Sequence, residues 1–218
     1  MKKKIGIVGG LGPMATVTLM RQLGDKYDLV VINDPTTPDR TNFILNKSTE
    51  DPTENILNMI EKLELYNVDL ITMPCNTASY FYNKIKDKIN CPFLNIVEET
   101  SKFVNSLSVK KVGLLATNGT IESNIYKNEL EKYGIEVVIP DDKNQNNVMD
   151  IIYKEVKANK KVSINKLYDA IDNLKEKGAE RVIFGCTELS VIYSDEKIED
   201  PFIIDSIKVL SDIIKTKI

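Results

Sequence analysis

Histidine and tryptophan are both absent from this chain of 218 residues, cysteine occurs three times, and arginine three times against 26 lysines. Without histidine there is no imidazole general base, no Ser-His or Cys-His pair, and the commonest nitrogen ligand of zinc is missing. The cysteines, Cys75, Cys91 and Cys186, are odd in number, widely spaced and without a CxxC pair, which argues against a disulfide framework and for reduced thiols. No metal site is expected. No apolar run nears the roughly 18 residues that a membrane span needs. IGIVGGLGP, near the amino terminus, is too short and too broken by glycine for a signal peptide. We therefore expect a cytoplasmic protein. Its net charge of −3, with no one-sided run of Lys or Arg, argues against a nucleic acid or a membrane surface as partner.

What is present is a soluble composition, 42% hydrophobic and 28% charged, and a regular alternation of two patterns. Short β-branched runs suggest strands near 4–9, 28–33, 68–74, 92–96, 110–117, 135–139, 180–185 and 201–205. Helical patterns fall near 14–23, 52–66, 76–89, 98–107, 120–133, 143–159, 163–177 and 206–217. Strands that are apolar at nearly every position, each followed by a helix, imply an α/β fold with parallel sheets covered on both faces.

The second half echoes the first. KKKIGIVGGLGP (2–13) resembles VKKVGLLATNGT (109–120), VDLITMPCNT (68–77) resembles AERVIFGCTE (179–188), and CPFLNI (91–96) resembles DPFIID (200–205), at offsets of 107, 111 and 109. This is an internal duplication. We expect two pseudo-symmetric α/β domains, 1–98 plus 206–218 and 99–205, with the active site in the cleft between them. Cys75 and Cys186 then take equivalent places at strand carboxyl ends, the edge where open parallel sheets bind ligands. A lone cysteine is most often core filling, and Cys91 reads that way. Cys75 and Cys186 are instead followed by Asn76-Thr77 and Thr187-Glu188, small or polar groups suited to a pocket mouth. A helix N-terminus beside each would draw the thiol pKa from roughly 8.5 toward 7 or below. Two thiols flanking one carbon can remove a proton from one face and deliver one to the other.

PCNTA (74–78), GCTEL (185–189), GGLGP (9–13) and NDPTTPDRT (33–41), in that combination over essentially the whole chain, resemble the aspartate/glutamate racemase superfamily, most closely its aspartate racemase branch. The resemblance implies a cofactor-independent isomerase, often a homodimer, in which two cysteines carry the proton transfers. It places catalysis on Cys75 and Cys186 and carboxylate binding on Arg40. Tyr153 and Lys157 correspond to a tyrosine and lysine four residues apart in the family. Asn76, Thr77 and Thr187 fall where the amino acid's ammonium and carboxylate bind, and Leu11, Thr117 and Glu188 complete the substrate-binding set. From the residues alone, Arg40 also reads as a solvated surface arginine, and Tyr153 with Lys157 as the flank of an amphipathic helix. Glu188 is expected to orient a partner or bind ammonium rather than act as the base.

Two departures bear on substrate. Ser79 stands where aspartate racemases commonly carry histidine, which makes it the first place to look for altered substrate or rate. The glutamate branch expects an Asp-Ser-Gly turn where this chain has GGLGP and a histidine where it has Glu188. The balance is L- and D-aspartate interconversion, the alternatives being a glutamate or broad-specificity racemase and a non-catalytic amino-acid-binding protein. A dinucleotide site at GLGPMA (10–15) is disfavoured, because Pro13 removes an N–H from the turn that would hold pyrophosphate.

Overall fold

A computed structural model describes residues 2–217. The first half runs β1 (Lys4–Gly9), α1 (Pro13–Leu23), β2 (Asp28–Asn33), α2 (Arg40–Ile44), α3 (Thr53–Leu65), β3 (Leu70–Thr72), α4 (Ser79–Ile85), β4 (Phe93–Leu94) and α5 (Ile96–Ser106). The second runs β5 (Lys111–Leu115), α6 (Asn118–Glu122), α7 (Ile125–Glu131), β6 (Glu136–Val138), α8 (Asp142–Asp150), a π-helical turn (Ile151–Val156), α9 (Ile164–Glu176), β7 (Arg181–Phe184), α10 (Thr187–Asp195), β8 (Ile203–Asp205) and α11 (Ser206–Lys217).

Each half builds a four-stranded parallel sheet with the same strand order, β2-β1-β3-β4 and β6-β5-β7-β8. β3 and β7 hold three consecutive buried residues each, Leu70–Thr72 and Val182–Phe184, because helices cover both sheet faces. The strand order reverses between β1 and β3 in one sheet and between β5 and β7 in the other. Such switch points leave a crevice at the strand carboxyl ends. Residues following β1, β3, β5 and β7 therefore converge, and those residues include Leu11, Cys75, Thr117 and Cys186.

The halves share their interior. One apolar cluster takes Ile5, Ile7 and Leu19 from the first half and Val112, Leu130, Ile207 and Leu210 from the second. α5 and α11, equivalent helices of the two halves, pack against each other, and α1 packs on α10 and α11. The division expected at 98/99 falls inside α5. Each half keeps a separate outer cluster, around Ile60 and Phe81 in one and around Ile152, Ile171 and Phe184 in the other. Burying each such side chain contributes about 1.5–3 kcal/mol.

Four local differences from the sequence reading have physical causes. The helix expected at 143–159 changes hydrogen bonding at Ile151, where the Lys157 N–H donates to the Ile152 carbonyl at 3.0 Å, five residues back. The one at 120–133 is broken at Asn124, which has a φ of 55°. α2 lies in a stretch read as loop, held by Asp39 Oδ1, which accepts from the Asn42 N–H at 2.8 Å. α10 has no helical signature in the sequence, because its first six residues, Thr187–Ile192, are all buried and no polar stripe marks a period. No helix among the described residues is long and apolar enough to cross a membrane.

Candidate active site

Gly10, with a φ of +83°, turns the chain after β1, and a Cβ there would meet the Asp34 backbone at 2.6 Å. Gly12 lets Glu188 approach: a Cβ would lie 2.8 Å from Glu188 Oε1. The loop between them puts the Leu11 carbonyl against Arg40. All eleven residues expected from the sequence, Leu11, Arg40, Cys75, Asn76, Thr77, Thr117, Tyr153, Lys157, Cys186, Thr187 and Glu188, line one pocket of about 290 Å³. Asp39 and Thr41 line it too and were not expected, although both stand in the quoted NDPTTPDRT stretch beside Arg40. Pro38-Asp39, a proline followed by a capping residue, was the available signal. Ser79 is buried in the first turn of α4 and lines a different cavity, with Tyr82, Asn95 and Glu98. The pocket of the two cysteines is not where the Ser79 side chain lies.

Arg40 is 7% exposed and has no carboxylate partner among the described residues. Its Nη1 donates to the Thr37 and Pro38 carbonyls at 3.2 and 3.0 Å, and its Nη2 to the Leu11 carbonyl. Three of the five guanidinium donors are thereby fixed by backbone, and the Nε–H is buried without a partner. A buried cation held by neutral dipoles, with donors to spare, is a seat for an incoming anion. The surface-arginine alternative is therefore overturned.

Lys157 Nζ stands 4.1 Å from the centre of the Tyr153 ring, 3.8 Å from Asp39 Oδ2 and 3.9 Å from Glu188 Oε1. Burial pushes its pKa down, but Glu188, Tyr153, Cys186 and Asp39 together outweigh that and raise it. The lysine is held as a cation. The Tyr153 hydroxyl donates to Asp39 Oδ2 at 3.3 Å, and burial pushes its phenol up. Tyr153 lies in the π turn and Lys157 caps its end, and both side chains line the pocket.

The thiols are closely surrounded. Cys186, at the N-cap of α10 and 4% exposed, donates to Glu188 Oε2 at 3.0 Å. Cys75, 8% exposed, precedes the turn Asn76–Ala78 rather than a helix start. Around Thr77 lies a cluster of hydroxyls, with Thr77 to Thr117 3.1 Å, Thr77 to Thr120 2.8 Å and Thr41 to Thr117 3.2 Å. The expectation of lowered thiol pKa values is corrected. Burial, with the Glu188 carboxylate adding to it, raises Cys75, and Arg40, the Ala78 N–H and Lys157 pull it down only in part. Burial and the Glu188 carboxylate raise Cys186 well above its ordinary value, against Lys157. Desolvation wins because a thiolate loses most of its hydration here, while Lys157 is shared with Asp39 and Glu188 and Arg40 is engaged by backbone carbonyls. Both sulfurs rest as thiols, and a thiolate at either is correspondingly basic.

A second, more open cavity of about 1130 Å³ adjoins this pocket through Leu11, Asp39, Arg40, Lys157 and Glu188, and is bordered outward by Met14, Pro35 and Val156. Chemically, the site offers one carbon two sulfur acid/base groups from equivalent positions of the duplicated halves. It offers carboxylates two cations, and an ammonium the carboxylates of Asp39 and Glu188.

Residues 8–212 match the family model described as Asp/Glu/Hydantoin racemase. The chain is 30% identical over 216 residues to the broad-specificity amino-acid racemase RacX of Bacillus subtilis, covering 93% of this chain and 92% of that protein. It is 30% identical over 140 residues to a glutamate racemase of Oceanobacillus iheyensis, covering 61% and 48% of the two chains. Its fold is similar to that of the solved Picrophilus torridus aspartate racemase, with a TM-score of 0.85, 33% identity, and 98% and 94% of the chains covered.

Proposed function

Because the chain belongs to the Asp/Glu/hydantoin racemase family and is an isomerase of that kind, we propose that it interconverts L- and D-aspartate by proton transfer between Cys75 and Cys186. The observation that carries this reading is the convergence of both thiols on one pocket with Arg40, a buried cation whose Nε–H lacks a partner. One substrate carboxylate takes the free Arg40 donors and the other faces Lys157 and Tyr153. The ammonium meets Asp39 and Glu188, leaving the α-carbon between the sulfurs. One thiolate takes the α-proton, breaking C–H and forming S–H. The opposite thiol gives its proton to the other face, breaking S–H and forming C–H, and is left as thiolate. One proton enters and one leaves, so the net charge is unchanged. A carboxylate is too weak a base to compete with a desolvated thiolate for this proton.

The supports for aspartate are the two cations, Arg40 and Lys157, lining one pocket, and the likeness to the Picrophilus enzyme. A wider amino-acid range is the second reading, favoured by the likeness to RacX and by the open cavity that adjoins the pocket on the Arg40 and Lys157 side. Incubation of the purified protein with each enantiomer of aspartate, glutamate and neutral amino acids in deuterated water, followed by chiral separation, tests both. Inversion with deuterium gain confined to aspartate supports the first reading, and faster turnover of neutral amino acids replaces it with the second. Binding without any α-exchange would reduce the protein to an amino-acid-binding role.

A further inference from the structure

Behind the thiols a chain of hydrogen bonds joins the two halves. Tyr126, on α7, has no exposed surface, and its hydroxyl donates to Asn76 Oδ1 at 2.6 Å. Asn76 follows Cys75 and belongs to the other half. Its Nδ2 donates to Ser206 Oγ at 3.0 Å, and Ser206 Oγ donates to the Phe184 carbonyl at 2.8 Å. Phe184 ends β7, two residues before Cys186. The direction of every bond is dictated by the last one. A backbone carbonyl only accepts, so the single Ser206 hydroxyl hydrogen is committed to Phe184, Ser206 must accept from the Asn76 amide, and Asn76 turns its oxygen to Tyr126. All three side chains are buried, so no bulk water competes.

We propose that Tyr126 and Ser206 are positioning residues that hold the Cys75 segment at a fixed separation from Cys186. The inference rests on the two-thiol reading of the site. Inversion requires the second sulfur within transfer distance of the carbanion before the first returns its proton, and reacting groups displaced by about 1 Å lose roughly a hundredfold in rate. Without the Tyr126 hydroxyl, the Asn76 amide loses the donor that fixes its rotation. Same-face return then overtakes inversion, and it leaves deuterium in the starting enantiomer once the Cys75 S–H has exchanged with solvent.

The test follows early turnover of L- and D-aspartate, or of whichever amino acid the protein racemises, in deuterated water with wild type, Tyr126→Phe, Ser206→Ala and Val104→Ala. Val104 is buried in α5 away from the site and serves as a control for destabilisation. For Tyr126→Phe and Ser206→Ala, the ratio of α-deuterium in recovered substrate to that in inverted product should rise at least about fivefold, with kcat lowered and KM within about twofold. Val104→Ala should lower the melting temperature and leave the ratio unchanged. Wild-type ratios in both site variants, whatever their melting temperatures, would overturn the positioning role and leave the two-thiol reading standing. Should Tyr126→Phe fail to fold, Ser206→Ala carries the decision alone. Wild type that exchanges no α-proton on any amino acid overturns the reading itself and this inference with it.

Discussion

Two residues after Cys75 the chain has Thr77, and two residues after Cys186 it has Glu188. The positions are equivalent in the duplicated halves and face the same pocket, yet they give their cysteines opposite surroundings. Thr77 joins a neutral cluster with Thr117 and Thr120, leaving the Arg40 guanidinium as the strongest charge acting on Cys75. Glu188 accepts the Cys186 hydrogen and places a carboxylate against it, so Cys186 is raised further than burial alone would raise it. Duplication thus supplies two thiols, and one Thr/Glu difference polarises them. On the proposed two-thiol mechanism Cys75, which lacks an adjoining carboxylate, is then the easier thiol to ionise and Cys186 the donor opposite it. The enantiomer whose α-hydrogen faces Cys75 needs the less costly of the two ionisations on that mechanism, while the other needs Cys186 to lose its proton against the Glu188 carboxylate.

The largest expected effect breaks the pair outright. Cys75→Ser and Cys186→Ser should each lower racemisation by about a thousandfold, within the range for losing a positioned acid/base group, while Cys91→Ser stays within about twofold of wild type. Cys91 is half-buried, contacts the Val68 carbonyl and lies outside the pocket. Chiral chromatography reads all three, and a single serine variant retaining a tenth of the activity would end the two-thiol assignment. Cys186→Ser should still exchange the α-hydrogen of one enantiomer without inverting it, through Cys75.

Arg40→Lys tests the Cys75 side next. A lysine keeps the charge but cannot hold three backbone carbonyls and present two further donors to a carboxylate. kcat/KM should fall by about ten- to a hundredfold, the equivalent of roughly 1.5–3 kcal/mol for charge-assisted hydrogen bonds. Most of the loss should appear in KM. A loss confined to kcat would mean that Arg40 stabilises the thiolate more than it binds substrate.

Glu188→Gln makes the two thiols more alike. Both are raised in the protein, so kcat/KM for either enantiomer should climb as pH rises above neutrality and the required thiolate forms. Removing the carboxylate removes a cause that raises Cys186, so its thiolate forms at lower pH. The rising limb for the enantiomer served by Cys186 should shift to lower pH, and the limb for the other enantiomer should shift less. At neutral pH a loss of about tenfold is expected from the broken Lys157 and ammonium contacts. Equal shifts in both limbs would show that Glu188 does not distinguish the thiols.

The sequence made the duplication, both sheets and the paired cysteines legible, because apolar strands and the PCNTA and GCTEL stretches are local signals, whereas Arg40, Tyr153 and Lys157 reached the pocket set only through the family resemblance. The thiol ionisation was not legible. The dipole argument treats Cys75 as if water still surrounded it, whereas burial from both halves is a tertiary property that no spacing reports. Tyr153 and Lys157 read as i and i+4 of an ordinary helix, and the π turn that carries Tyr153 and ends at Lys157 has no sequence mark distinct from that period. Ser79 drew attention through the family comparison alone, and the turn Asn76–Ala78 carries its side chain away from the pocket. Asn76 read as a ligand to substrate, with nothing to signal that Tyr126, fifty residues on, holds it.

The smallest effect concerns the helix caps that repeat between the halves. Asn95 caps α5, its Oδ1 accepting from the Val97 and Glu98 N–H groups at 2.9 and 3.3 Å. Asp205 takes the equivalent place before α11 and accepts from the Lys208 N–H at 2.6 Å, with Oδ2 buried and unpartnered. Burial pushes Asp205 from 3.8 to about 6, against the Lys208 N–H and ammonium, which favour its charge. Between those two values the folded protein holds a proton that the unfolded chain has released. The proton's stabilising contribution is therefore present below about pH 4 and lost as pH rises through about 6, a cost of roughly 3 kcal/mol at neutrality. Asn caps as well as Asp does. Asp205→Asn, which copies the first half, should therefore stabilise the fold by about 1–3 kcal/mol in urea titrations above pH 6, and the gain should vanish as pH falls toward 4. A gain independent of pH would mean that the cap geometry, not the buried charge, separates the two halves at this point.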